Sequence, residues 1–250
     1  MEHNTQLKIL HTVNHLLLLF GITYIAITAQ YQWALIALFF YVFVVVVGQN
    51  VGLHRYLSHK SFETHPVISY LLCFTAVIAT TGSPLVWVAA HRAHHRYSDK
   101  NGDPHSPVFV PLSEIIFSWK LWGREKIDFS MSKDILRSNF HQALHKYYSF
   151  VIISYCVVLF IIDPLLVVFV YAIPATLCFY SGGIVNAFSH KYGYRSHNTQ
   201  DQSTNNIWVS IFSVGEGWHN NHHHKAHNWK QGEKWWEIDP PAFVIRLIKR

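Results

Sequence analysis

Long runs without a formal charge dominate the pattern of the chain. Ile9 to Ala29 and Trp33 to Leu53 contain no Asp, Glu, Lys or Arg, and only Gln30-Tyr31-Gln32 separates them. Each run reaches the length of about 20 apolar residues that a helix needs to span a bilayer, so the pair predicts a helical hairpin. A second hairpin is predicted from Tyr147 to His190, where the single charge, Asp163, is followed by Pro164; an Asp-Pro pair favours a turn. A further uncharged run, Thr64 to Ala90, is interrupted at Gly82-Ser83-Pro84.

The lysines and arginines thread these runs through the membrane. With Tyr31 and Asp163 at the two hairpin tips, all twenty basic residues fall on the opposite side, which the positive-inside rule makes cytoplasmic. Thr64 to Ala90 has Arg55 and Lys60 before it and Arg92 and Arg96 after it. It must therefore cross zero times or twice, and it is too short to cross twice; it reads as a buried or interfacial helical segment bent at Gly82-Ser83-Pro84. The expected fold is all-α and integral to the membrane. Four transmembrane helices, at about 9–29, 33–53, 147–162 and 164–188, form two hairpins under a cytoplasmic helical cap of residues 54–146 and 189–250. The whole chain, 1–250, is expected to be one domain with both termini cytoplasmic.

Composition agrees with lipid as the solvent: 14% of residues are charged, against about 25% in soluble domains. The formal charge of +6 is accounted for by basic residues gathered on one membrane face, so nucleic acid is not an expected partner. No small-residue cleavage signal follows the first apolar run, which is therefore not a removable secretory peptide. Cys73, Cys156 and Cys178 lie far apart in apolar surroundings and read as small apolar residues, not a metal or redox site.

Metal chemistry is left to the 19 histidines. Three clusters stand out: His54 with His59, His91 with His94 and His95, and His219 with His222 and His223. Residues i, i+3 and i+4 share a helical face, so the second and third clusters predict compact imidazole triads. His54 and His59 are five apart, about 140° round an α-helix, and converge only if the helix ends or bends between them. His224 points about 100° from His223 on a helix and is left out. Eight clustered imidazoles exceed the needs of one ion and point to two. Imidazole suits iron, zinc, copper and nickel alike; zinc sites favour thiolates or three histidines, so a redox-active pair is the better reading.

These residues resemble the membrane fatty-acid desaturase family, in its stearoyl-CoA desaturase-like and acyl-lipid members. The resemblance rests on GLHRYLSHKSF (Gly52 to Phe62), WVAAHRAHHRYSD (Trp87 to Asp99), DPH (Asp103 to His105) and GEGWHNNHH (Gly215 to His223), and it covers about residues 33 to 230. It implies a nine-histidine di-iron site in which His190 joins the eight clustered histidines and Asn186, four residues earlier, holds a water near one iron. The implied activity is oxygen-dependent introduction of a cis double bond into a saturated acyl chain carried by coenzyme A or a lipid. Two iron ions, replaceable by zinc on overexpression, and molecular oxygen are the implied cofactors. Asp99, Asp103 and Glu216 are candidates for orienting the ligands, because a metal-bound imidazole gives its other N–H to a carboxylate or carbonyl. Leu38, Tyr41 and Val42, above His54 on the second span, are candidates for closing an apolar substrate tunnel.

The chain departs from the family at Ser106 to Pro111 and in the short stretch Trp119 to Lys146, which leaves the acyl carrier open. With no cysteine cluster or glycine-rich nucleotide loop in the sequence, electrons are expected from a separate b-type cytochrome or ferredoxin. Arg92, Arg96, Lys225 and Lys230 flank the histidines as docking candidates, with anionic lipid as the alternative. The rival functions are a hydroxylase or monooxygenase on the same metal site and a non-catalytic metal-binding or transport protein; the placement of the histidines at one membrane face argues against transport, whose ionisable groups lie near the midplane.

Overall fold

The computed structural model describes residues 3–117 and 128–250. Residues 118–127, which carry Lys120, Arg124 and Lys126 of the short stretch noted above, lie outside the described residues. The described chain is helical, with only isolated bridges such as Tyr194 with Asn205 in place of strands.

Among the described residues, three helices are long and apolar enough to cross a bilayer: α1 (His3–Thr28), α2 (Gln32–Ser58) and α9 (Pro164–Phe188). Between them lie α3 (Pro66–Ile78), α4 (Pro84–Tyr97), α5 (Leu112–Ile116), α6 (Lys133–Leu136), α7 (Asn139–Lys146) and α8 (Tyr148–Ile162). After α9 come the short α10 (Ile207–Phe212) and α11 (His219–His224), then α12 (Pro240–Ile248). The break between α8 and α9 falls at Asp163, whose carboxylate accepts from the Leu165 N–H at 2.8 Å. α8 has 15 residues, about 22 Å at 1.5 Å per residue, short of a hydrocarbon core of about 30 Å. It reaches spanning length only with α7, to which it joins at a 69° bend. The uncharged run Thr64 to Ala90 becomes two helices, α3 and α4, separated by a turn in which Gly82 adopts φ 116°.

The outward faces of α1 and α8 are apolar, with Leu16, Leu19, Phe160 and Ile161 exposed, as lipid-facing surfaces require. Inside, polar groups pair between helices: Asn14 of α1 donates to the Tyr171 hydroxyl at 3.4 Å, and that hydroxyl lies 3.1 Å from Thr80. Small residues bring α2 and α3 into contact. A Cβ on Gly48 would meet the Thr75 carbonyl oxygen at 2.6 Å, and one on Gly52 the Leu72 oxygen at 3.0 Å. This is the small-xxx-small spacing by which membrane helices approach closely. It holds the carboxyl end of α2, which carries His54, against α3.

Candidate metal centre

The winding of α2 decides the geometry of the first histidine pair. From Gln32 to Phe43 it is α-helical, but from Val44 to Ser58 it is a π-helix, whose hydrogen bonds run i→i+5. The His59 N–H accordingly donates to the His54 carbonyl at 3.1 Å, and the two rings lie 4.8 Å apart. The helix does end between them, at Ser58, as expected from the spacing, and the wider π turn brings residues five apart together without a bend.

The nine histidines fall into two sets. His54, His59, His91, His95 and His222 form one; His94, His190, His219 and His223 form the other; in each set one nitrogen per ring lies within 4.8 Å of the others. Both HxxHH segments are split between the sets. On α4, His91 and His95 face the first and His94 the second, whereas α11 gives His222 to the first and His219 and His223 to the second. In the first set the His59 and His91 Nε2 atoms are 2.8 Å apart, and His222 Nε2 is 3.0 Å from both His54 and His95 Nε2. In the second, His190 and His219 Nε2 are 3.0 Å apart.

Four rings are held from behind by carboxylates. His54 Nδ1 lies 2.6 Å from Glu216, His94 Nδ1 2.9 Å from Asp103, His190 Nδ1 2.8 Å from Asp99 and His223 Nδ1 2.7 Å from Asp201. A neutral ring that donates through Nδ1 presents a lone pair at Nε2, so these four rings aim lone pairs into the sets. The Nε2 atoms of His94 and His223 are buried and have no hydrogen-bond partner among the described residues. Converging lone pairs repel one another unless a cation lies between them, which is the fit that divalent metals require. The charge also matches: four carboxylates balance two divalent ions. Asp103 and His105 also cluster with His94, but His94 faces Asp103 through Nδ1, so this third grouping is an orienting contact.

Burial, reinforced by neighbouring imidazoles, pushes His59, His91, His95, His219 and His222 well below the ordinary histidine value, and takes His223 down to about 4 despite its bond to Asp201. These six rings are thus held neutral, the state that binds metal. Burial alone would raise the carboxyls of Asp103, Asp201 and Glu216; the rings they face, with Arg55 beside Glu216, draw all three well below the usual range.

Sequence reasoning named Asp99, Asp103 and Glu216, and each contacts a histidine; it missed Asp201 and Arg55. Asp201 sits 22 residues before His223 in an irregular loop, and no spacing signals the pairing. Arg55 is fully buried beside His54: its guanidinium donates to Glu216 at 2.8 Å, to Asp239 at 2.8 Å and to the Trp229 carbonyl at 2.7 Å. It braces the carboxylate that holds His54. Arg92, a docking candidate from the sequence, is occupied internally by Asp134 at 2.6 Å and by the carbonyls of Leu57, Ser58 and Met131.

A cavity of about 220 Å³ adjoins the histidines, with Asn186, Trp87 and Ile115 in its wall beside His54, His91 and His219. Gly183 lets α5 lie against α9 to close one side, since a Cβ there would meet the Ile115 oxygen at 3.0 Å. The candidate tunnel residues do not line it. Leu38 and Val42 are 55% and 39% exposed on the outside of α2, while Tyr41 is buried and bonded to the Phe212 carbonyl. The π winding beyond Phe43 displaces these positions from where an α pitch would put them; Gln49, Asn50, Thr81 and Phe179 line the cavity instead. His224 is exposed and stacks on His197 at 4.0 Å, apart from both sets.

Residues 31–240 match the fatty acid desaturase family. The chain is similar to an sn-1 stearoyl-lipid 9-desaturase of Anabaena variabilis, 32% identical over 98% of this chain and 91% of the relative. It is also similar to an acyl-CoA 5-desaturase of Anemone leveillei, 30% identical over 94% of this chain and 76% of the relative. A Delta-9 acyl-lipid desaturase of Arabidopsis thaliana is 34% identical over 81% of this chain and 67% of its own length.

Proposed function

Because the chain belongs to the fatty acid desaturase family, we propose that its nine clustered histidines hold two iron ions that desaturate a fatty-acyl chain seated in the adjoining cavity. The protein is an oxidoreductase of lipid metabolism, a fatty-acyl desaturase embedded in the membrane. One observation carries the two-metal reading. Two sets of inward imidazole nitrogens are backed by four carboxylates, and two buried Nε2 atoms lack any partner among the described residues.

Iron bound there supplies the oxygen-dependent chemistry that removes hydrogen from an unactivated methylene, which has no acidic proton for a side chain to take. The balance is fixed: two hydrogens leave adjacent carbons as a cis double bond forms, and with molecular oxygen, two external electrons and two protons they leave as two waters. The protein's part is placement. Glu216, Asp99, Asp103 and Asp201 fix the ring orientations of His54, His190, His94 and His223. Trp87 stacks on His91 with centroids 4.8 Å apart and walls the cavity against water. Asn186, in that wall, holds a water beside the metals through its side-chain amide. Zinc fits the same imidazoles and replaces iron in overexpressed protein.

The chain forms a single domain, 1–250. α1, α2 and α9 cross the bilayer, the bent pair α7 and α8 supplies the fourth span, and the cap with its histidines lies on the cytoplasmic side with the basic residues. The acyl chain arrives on coenzyme A or on a membrane lipid, and a separate b-type cytochrome or ferredoxin delivers the electrons. The test is expression in a host that lacks unsaturated fats, followed by analysis of its acyl chains. New cis double bonds are expected. Hydroxylated chains without double bonds would instead assign the site to a hydroxylase.

A further inference from the structure

Building on the desaturase reading, we infer that the strap from His224 to Lys230 is the docking surface for an acidic one-electron carrier protein. This strap crosses the outer side of both histidine sets. It begins at the residue after His223, in the second set. At its middle, the His227 Nδ1–H donates to the carbonyl of His59, in the first set, at 2.8 Å, with the two rings 6.5 Å apart. At its far end the Trp229 carbonyl accepts from the buried Arg55 at 2.7 Å. His224, Lys225, His227, Asn228 and Lys230 are all exposed along this short segment. A carrier seated on it therefore lies one side chain, His227, from the His59 ring of the first set and one residue along the chain from His223 of the second.

The charges of the strap are free for a partner. Around it, Arg92 and Lys60 are both tied to Asp134 at 2.6 Å, and Arg195 is spent on the carbonyls of Thr199 and Asp201. Among the described residues, Lys225 and Lys230 have no carboxylate within salt-bridge distance. A protein partner is favoured over a lipid surface because the strap exposes no large apolar side chain, whereas interfacial segments bury an apolar face in lipid. α12 makes the contrast, with Phe243 and Leu247 exposed beside Arg246. Unpaired cations around a redox site raise encounter rates with an acidic partner by about tenfold or more. Each visit transfers one electron and oxidises one carrier, and two visits complete a turnover.

The test uses the full chain in lipid discs, wild type against Lys225→Glu/Lys230→Glu. Turnover is driven by whichever of reduced ferredoxin or soluble b-type cytochrome serves wild type faster and, separately, by reduced methyl viologen. The expected result is a rise of about tenfold in KM for the carrier, a flattened dependence on salt, and unchanged viologen-driven turnover. An unchanged KM overturns the inference, as does wild type that accepts electrons from viologen but from neither carrier. A KM that moves only when the discs contain anionic lipid assigns the lysines to head groups and overturns it too. If wild type makes no double bond with any reductant, the desaturase reading fails first and the docking surface falls with it.

Discussion

Replacing Arg55 by methionine removes the guanidinium shared by two buried carboxylates and leaves the side-chain volume nearly filled. The guanidinium lies 2.8 Å from both Glu216 and Asp239, and the Arg55 side chain is 1% exposed. With charge centres about 4 Å apart and an effective dielectric constant of about 20, each attraction is worth about 4 kcal/mol before desolvation. Relief of the guanidinium's own desolvation offsets part of this, and breaking a buried pair by removing one partner costs about 3–5 kcal/mol net. Arg55→Met is therefore expected to lower stability by about 3–5 kcal/mol in denaturant unfolding of the detergent-solubilised protein. Because Glu216 would lose its brace, Glu216→Gln on top of Arg55→Met should cost less than the two single changes added together. A loss below about 1 kcal/mol for Arg55→Met, or strict additivity with Glu216→Gln, would refute the claim that this arginine braces the carboxylate behind His54.

Other outcomes follow from the same geometry. Asp201→Asn, which keeps the shape but removes the charge behind His223, should weaken metal retention by about 10–100-fold, read as metal per chain after dialysis against graded chelator. Gly48→Ala drives a Cβ toward the Thr75 carbonyl and should destabilise by about 1–3 kcal/mol through overpacking, measured as a lowered unfolding midpoint. The metal-free protein should lose stability as pH falls below 6.5. There the unfolded chain takes up protons that the folded rings, depressed by burial, refuse until about pH 4 in the case of His223; the limit is about 1.4 kcal/mol per pH unit for each such ring. Unfolding midpoints of the metal-free protein that stay level between pH 7 and pH 5 would contradict that sign.

Much of this arrangement is legible in the residues themselves. Uncharged runs of spanning length mark α1, α2 and α9 because lipid tolerates so few charges, and the HxxHH spacing places three imidazoles on one helical face wherever a helix forms. The sequence reading fell short where local winding or distant loops decide the outcome. At an α pitch Leu38 and Val42 face the cavity and His54 and His59 need a helix end to converge, because nothing in Val44 to Ser58 announces a π-helix. Asp201 and Arg55 act through contacts 22 and 161 residues away in the chain, which only the folded structure brings together. Arg92, a docking candidate from its place beside the histidines, is spent on Asp134 and three carbonyls. The uncharged run predicts α8 as a span by itself, yet it reaches that length only through its bent partner α7.

The claim on which everything else depends is that the nine histidines hold two metals in two sets, and metal stoichiometry tests it most directly. Purified protein loaded anaerobically with ferrous iron and freed of excess should retain two ions per chain. His190→Ala/His219→Ala, which removes half of the second set and leaves the first intact, should retain one. Wild type that binds a single ion, or a variant that still binds two, would contradict the account.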